Sequence, residues 1–247
     1  MINKLYDLIY KFVFLTGLLK QKIYKNYKFI YDDKTKQIVL NALKNDKLLI
    51  ISNHMTLIDS NLIQLFILEI IGGTLGVLNN NFRPLIWNLP AIENINLLKS
   101  LVGFKTKLFF FCFRNLYINR NNTDESAKTL KHVANMIAKG SIFNIFPEAG
   151  RTRKEEFDEN DMTPGVAKVL LDCEKDSGKL PGLLTIYIRA KDQIGHSNLP
   201  MSFNIKVFAE YNENFPISQE QSSLRKRKNL TVFMGKSIKK LQEKFYQ

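Results

Sequence analysis

The sequence predicts an α/β protein whose mixed, mostly parallel sheet is flanked by helices. Three observations lead there. Short apolar runs alternate with longer stretches in which apolar residues recur every three or four positions. The runs Lys47–Ser52, Ile142–Phe146 and Gly182–Ile188 are apolar enough to read as buried strands. The chain has 247 residues, 45% of them hydrophobic, which suffices for one sizeable domain with a full core. No internal repeat and no linker divides it. Three regions are expected: an amphipathic segment at 1–31, an α/β domain at 32–217, and a basic helical segment at 218–247.

In residues 1–31, Leu5, Leu8, Ile9, Phe12, Val13, Leu15 and Leu19 fall at near-helical spacing among lysines and tyrosines. Such a helix suits a membrane interface, or it packs its apolar face on the domain. Asp33–Leu43 reads as a helix with Ile38, Val39, Ala42 and Leu43 on one side. The strand at 47–52 follows, then a helix over about 57–70, ended by Gly72, Gly73 and Gly76. Leu75–Leu78 is a candidate strand, Asn79–Asn81 a turn, Ile92–Leu101 a short helix and Leu108–Phe113 a strand. Leu116–Ile118 is another strand, ending in Asn119-Arg120. Asp124 opens a helix with acids in its first turn, one apolar face, and Gly140 at its end. The strand Ile142–Phe146 runs into Pro147–Arg153, and the acidic stretch Glu155–Asp161 reads as a mobile surface loop. Gly165–Cys173 is a helix, Gly182–Ile188 a buried strand, and the alternating Phe203–Ala209 an edge or partner strand. The C-terminal segment carries the charge run Arg225–Lys228 and an apolar stripe, Ile238, Leu241 and Phe245. A solvated helix face is the first reading of that segment, and a second membrane contact is the alternative.

The net charge is +13 and the isoelectric point about 9.6, a surplus that favours polyanions: nucleic acid, an anionic membrane face or phosphorylated substrates. An overall Lys-, Asn- and Ile-rich composition would produce the same surplus. Cys112 and Cys173 are too few for a disulfide framework and lack metal-ligand spacing, which points to a reducing compartment and no metal site. No cleavable signal is expected. The longest apolar stretches, Phe12–Leu19 and Leu62–Leu78, fall short of the roughly 20 mostly apolar residues of a spanning helix.

The chain is organised around Asn53-His54-Met55-Thr56-Leu57-Ile58-Asp59, between a strand and a helix. Five residues on one helix rotate a side chain by roughly 500°, so His54 and Asp59 do not meet within a regular helix. They meet if His54 lies in the turn before the helix and Asp59 in its first turn. A carboxylate on one imidazole nitrogen then fixes the tautomer and leaves the other nitrogen as a base. His54, Arg120 and Glu148 each follow directly on an expected strand, and ligands gather at the carboxyl ends of strands in such sheets.

Four blocks together resemble the 1-acylglycerol-3-phosphate acyltransferase family, the group of glycerophospholipid acyltransferases that includes lysophospholipid acyltransferases and tafazzins. Asn53–Asp59 is similar to its NHxxxxD block, Leu116–Arg120 to its FIDR block and Phe146–Thr152 to its FPEGTRS block. Gly182–Ile188 is similar to its apolar VPV-type strand, and Thr163–Ala167 to the small-residue helix start before it. The resemblance spans about residues 45–190. It implies a glycerolipid acyltransferase-like fold and transfer of a fatty acyl group to a hydroxyl of a lysophospholipid, above all 1-acylglycerol-3-phosphate. The donor would be acyl-CoA or acyl-carrier protein, a co-substrate rather than a bound cofactor. It further implies His54 as general base, Asp59 as its orienting carboxylate, and Arg120, Glu148, Gly150 and Arg151 at the acceptor site, with no metal. Two departures stand out: Ala149-Gly150 replaces the usual Gly-Thr, and Asn119 replaces the usual Asp. The expected partners are the two substrates and an anionic membrane surface at the cytoplasmic face, with no nucleic acid. The alternatives are a tafazzin-like, CoA-independent transacylase and a non-enzymatic basic protein that binds membrane or nucleic acid.

Overall fold

The computed structural model describes residues 26–72, 86–90, 115–152, 156–218 and 220–247. Strand β1 (Lys28–Ile30) and helix α1 (Asp33–Ala42) lead into β2 (Leu48–Ser52) and α2 (Asp59–Ile70). Then come β3 (Ile86–Asn88), α3 (Thr123–Ala138), β4 (Ile142–Ile145) and α4 (Gly165–Ser177). The chain closes with β5 (Gly182–Ala190), β6 (Asn204–Asn212) and α5 (Ser223–Tyr246).

Among the described residues the strands form one sheet in the order β1-β6-β5-β2-β4-β3. β5 and β6 pair antiparallel, and every other neighbouring pair is parallel, so the sheet is mixed and mostly parallel as the sequence predicts. Residues 115–118 continue it beyond β3. The Leu116 amide donates to Asn88 O at 2.9 Å and the Ile118 amide to Pro90 O at 3.1 Å. β2, β3, β4 and β5 therefore end on one side, where loops are free to build a site, while β1 and β6 run the other way.

Side chains of β2 alternate between two cores. Leu49 and Ile51 join Phe143, Leu183 and Tyr187 beneath α3, α4 and α5. Leu48 and Ile50 join Leu184, Ile186, Val39 and Phe66 beneath α1 and α2. The helix ends follow local chemistry: Asp32 accepts from Thr35 N at 2.7 Å, and Asn122 accepts from Asp124 N and Glu125 N, both at 3.1 Å.

The structure corrects several expectations. Residues 28–30, read as part of an amphipathic helical segment, form a strand that pairs with β6. β3 lies where the pattern is irregular. Phe157, inside the stretch expected to be a mobile loop, is buried in the core and pins that stretch. The stripe Ile238, Leu241 and Phe245 also packs into the core, which removes it as a membrane contact. The elements expected at Leu75–Leu78, Asn79–Asn81, Ile92–Leu101 and Leu108–Phe113, the apolar part of residues 1–25, and Cys112 lie outside the described residues. Among the described residues no helix is long and apolar enough to cross a membrane.

Candidate active site

The site begins where β2 stops. Asn53 carries the β2–β5 pairing one step further with its side chain: Nδ2 donates to Ile188 O and Oδ1 accepts from Ile188 N, both at 2.9 Å. The side chain replaces a backbone rung, so the main chain can turn away from the sheet at His54.

Asp59 is the first residue of α2 and is buried. Its Oδ2 accepts from Met55 N at 2.6 Å and Thr56 N at 2.7 Å, and its Oδ1 accepts from Thr56 Oγ1 at 2.5 Å. These bonds wrap the turn around the carboxylate and place Oδ2 3.2 Å from His54 Nδ1. Facing a carboxylate, Nδ1 is the ring's N–H donor, which leaves Nε2 to accept a proton. The His54 ring stacks on Phe146, with centroids 4.1 Å apart and planes 13° from parallel. Its side chain keeps 15% of its surface exposed, so the buried Asp59 orients a base that still reaches solvent.

Two distant loops hold the same turn. From the loop after β4, Glu148 Oε1 accepts the His54 N–H at 3.0 Å and the Thr152 amide donates to His54 O at 2.6 Å. From the loop after β5, the Ser197 amide donates to Met55 O at 3.0 Å, and Asn198 O accepts from Leu57 N at 3.3 Å. Glu148 uses its other oxygen, Oε2, to accept from Thr152 Oγ1 at 2.6 Å. Burial pushes its carboxyl up to about 7, against the pull of the Thr152 and His54 hydrogen bonds, and nearby Asp161 and Asp59 raise it further. Glu148, expected at the acceptor site, thus holds the histidine turn through Oε1 and its clamp residue Thr152 through Oε2.

The remaining predicted residues divide. Half-buried Arg151 reaches Ser197 O and Asn198 Oδ1, each at 3.3 Å from Nη1, and so sits beside the histidine turn. Gly150 adjoins it, and a Cβ there would meet nothing within 4 Å, so the position does not itself demand glycine. The conformational demand falls on Ala149, whose φ of 53° lies in the left-handed region. Arg120 shares the carboxyl end of the sheet but is exposed and lies beyond the edge segment 115–118. That segment is three strand spacings from β2, an offset of about 14 Å at 4.8 Å per strand. Among the described residues no three His, Cys, Asp or Glu side chains come together as a metal site would need.

Sequence reasoning missed Phe146 as the ring beneath His54, Thr152 as a clamp, and the whole contribution of Gln193–Asn198. The first two lie inside a recognised block and were accessible from it. The third comes from contacts made across more than 130 residues of chain.

The structure thus joins an α/β sheet to a His–Asp pair at the carboxyl end of β2, with the imidazole oriented by the carboxylate. A model of the acyltransferase family matches residues 98–188, a stretch that includes Arg120 and the Glu148–Arg151 loop but not His54 or Asp59. A solved structure, the 1-acyl-sn-glycerophosphate acyltransferase PlsC from Thermotoga maritima, is similar over 97% of this chain and 96% of that chain, with 13% identity and a TM-score of 0.44. No curated protein matches the sequence.

Proposed function

We propose that this protein is an acyltransferase that moves a fatty acyl group from an acyl-CoA or acyl-carrier protein thioester to a hydroxyl of a lysophospholipid, with 1-acylglycerol-3-phosphate the preferred acceptor. One observation carries the reading: His54, its side chain 15% exposed, is oriented through Nδ1 by a buried Asp59 at 3.2 Å, on a turn held by four stretches of chain. In this mechanism Nε2 takes the acceptor's hydroxyl proton as the oxygen attacks the thioester carbonyl carbon. The C–S bond then breaks, and the leaving thiolate takes the proton back from His54. Asp59 stabilises the imidazolium in between, and general-base catalysis of this kind contributes about 10²–10⁴-fold.

Arg151 beside the turn suits the acceptor's phosphate, because a guanidinium engages two phosphate oxygens at once. Arg120, further along the same end, suits a more distant anionic group of either substrate. Both substrates are amphiphiles, so the reaction belongs at an anionic membrane surface facing the cytoplasm.

The test is a radiolabelled acyl-CoA assay over a panel of lysophospholipids, with wild type and His54→Ala side by side. Transfer that the substitution abolishes is the expected result. Equal transfer by both proteins overturns His54 as the base. Transfer from intact phospholipid with no thioester present reassigns the donor to a second phospholipid.

A further inference from the structure

We propose that the loop joining β5 to β6, residues 191–203, is a lipid-docking surface that seats the histidine turn on an anionic bilayer. The proposal rests on the amphiphilic substrates of the preceding reading, and the experiment below separates the two.

The first observation is apolar exposure concentrated in one place. Ile194 is 65% exposed, Leu199 59%, Met201 53% and Phe203 54%, all within ten residues, and Leu57 of the histidine turn adds 52%. Apolar residues scattered singly over a surface need no explanation, but a contiguous patch marks a surface that is covered in use. In a chain that is 24% charged, this loop contains only Lys191 and Asp192 as fully charged side chains.

The second is that the patch is built. Gln193 is buried beneath it. Its Oε1 accepts from Met201 N at 3.0 Å, and its Nε2 donates to Gly195 O at 2.8 Å and Ser197 Oγ at 2.9 Å. Arg189, buried at the end of β5, donates to Gln193 O from Nη2 at 2.6 Å and from Nε at 3.2 Å. A loop tied from below in this way cannot fold its apolar side chains inward.

The third is position and charge. Ser197 and Asn198 bond both the histidine turn and Arg151, so whatever covers the patch lies at the edge of the site. Exposed Lys28, whose amide donates to Phe203 O at 2.8 Å, and exposed Lys191 flank the patch on the β6 side, and the chain carries a net charge of +13. Apolar side chains flanked on one side by lysines complement acyl chains beneath anionic headgroups. Docked by this loop, the protein would receive a lysophospholipid at His54 without extracting it fully into water.

The experiment is co-sedimentation of the full chain with vesicles of phosphatidylcholine and phosphatidylglycerol, alongside thermal melting and sedimentation velocity. The double substitution Ile194→Ser/Leu199→Ser is expected to lower partitioning by about 10–100-fold at unchanged melting temperature, from the apolar area withdrawn from the bilayer. Leu199→Trp is expected to raise it, since tryptophan favours the interface. With a working assay, the double variant loses turnover on vesicle-borne acceptor while keeping it on a short-chain, monomeric one. Unchanged partitioning overturns the proposal. So does a lower melting temperature or a changed molecular mass without loss of partitioning, because another stretch of this chain or a second copy then covers the patch. If wild type transfers no acyl group, the acyltransfer reading fails while partitioning still decides the docking surface.

Discussion

Asp59→Asn isolates charge from geometry in the His–Asp pair. Asp59 Oδ2 faces three donors, the amides of Met55 and Thr56 and the ring N–H of His54, whereas Oδ1 faces only the Thr56 hydroxyl. An asparagine therefore has one good orientation, with its amide oxygen in the Oδ2 position and its NH₂ toward Thr56 Oγ1, whose hydroxyl rotates to accept. The two backbone donors enforce that orientation and so preserve the His54 tautomer. What is lost is the negative charge.

Hydrogen bonds to a charged acceptor contribute about 1.5–3 kcal/mol and neutral ones about 0.5–1.5, so losing the charge costs about 1–1.5 kcal/mol per bond, or about 3–4.5 kcal/mol over the three donors on Oδ2. Asp59→Ala instead strands two buried amides and a hydroxyl at about 1–3 kcal/mol each, or about 3–9 kcal/mol. For catalysis, Asn still orients the ring but no longer stabilises the imidazolium. The expected loss in kcat is about 10²-fold, the low end of the general-base range, with KM nearly unchanged. Urea denaturation and saturation kinetics on the same preparations measure both. A folded Asp59→Asn enzyme with wild-type kcat would refute the reasoning, since Asp59 would then serve only to shape the turn.

Two further outcomes follow from the loop after β4. Ala149→Gly releases a left-handed strain of roughly 1–2 kcal/mol against an added unfolded-state entropy of about 0.4–1 kcal/mol, so the melting temperature rises by a few degrees at most. Ala149→Val at the same φ lowers it, and calorimetry that shows the opposite order sinks the assignment. Glu148 gives a pH signature. Its native carboxyl is raised from 4.5 to about 7, so between those values the folded protein holds a proton that the unfolded chain has released. Stability from this group is fully present below about pH 4.5 and is lost as pH rises through about 7, a span worth up to about 3 kcal/mol. Glu148→Gln keeps an acceptor for the His54 amide and lacks the titration, so its stability relative to wild type should climb across that window in urea melts, and a flat difference refutes the shift.

The parts of this molecule that were legible in the sequence are those whose cause is local. β2, β4 and β5 are buried on both faces, and that shows as predominantly apolar runs. Asp59 reaches His54 because the turn and the first helical residue are neighbours in sequence. β1 and β3 are three residues each, too short for a periodicity, and exist because a neighbouring strand offers unpaired backbone. The lateral order of the strands is equally silent in sequence. His54, Glu148 and Arg120 were placed at the correct end of the sheet, yet nothing local reveals that Arg120 sits about 14 Å to the side. Ala149 is the sharpest case, because a glycine there would have announced a left-handed residue and an alanine conceals it.

The histidine turn has no ladder or helix of its own, so its rigidity comes from elsewhere. Asn53 anchors one side to β5, Asp59 the other to α2, Glu148 and Thr152 hold the His54 backbone, and Ser197 and Asn198 hold Met55 and Leu57. Misplacing a general base by about 1 Å can cost on the order of 10²-fold in rate, so under the proposed mechanism these contacts would matter to chemistry as much as to stability. Glu148 is suited to its part in either protonation state. Ionised, it accepts from both His54 N and Thr152 Oγ1. Protonated, its carbonyl oxygen still accepts the His54 amide while its hydroxyl donates to Thr152, whose Oγ1 has lone pairs to receive it. A raised carboxyl is thus tolerated beneath His54 without loosening the turn that carries it.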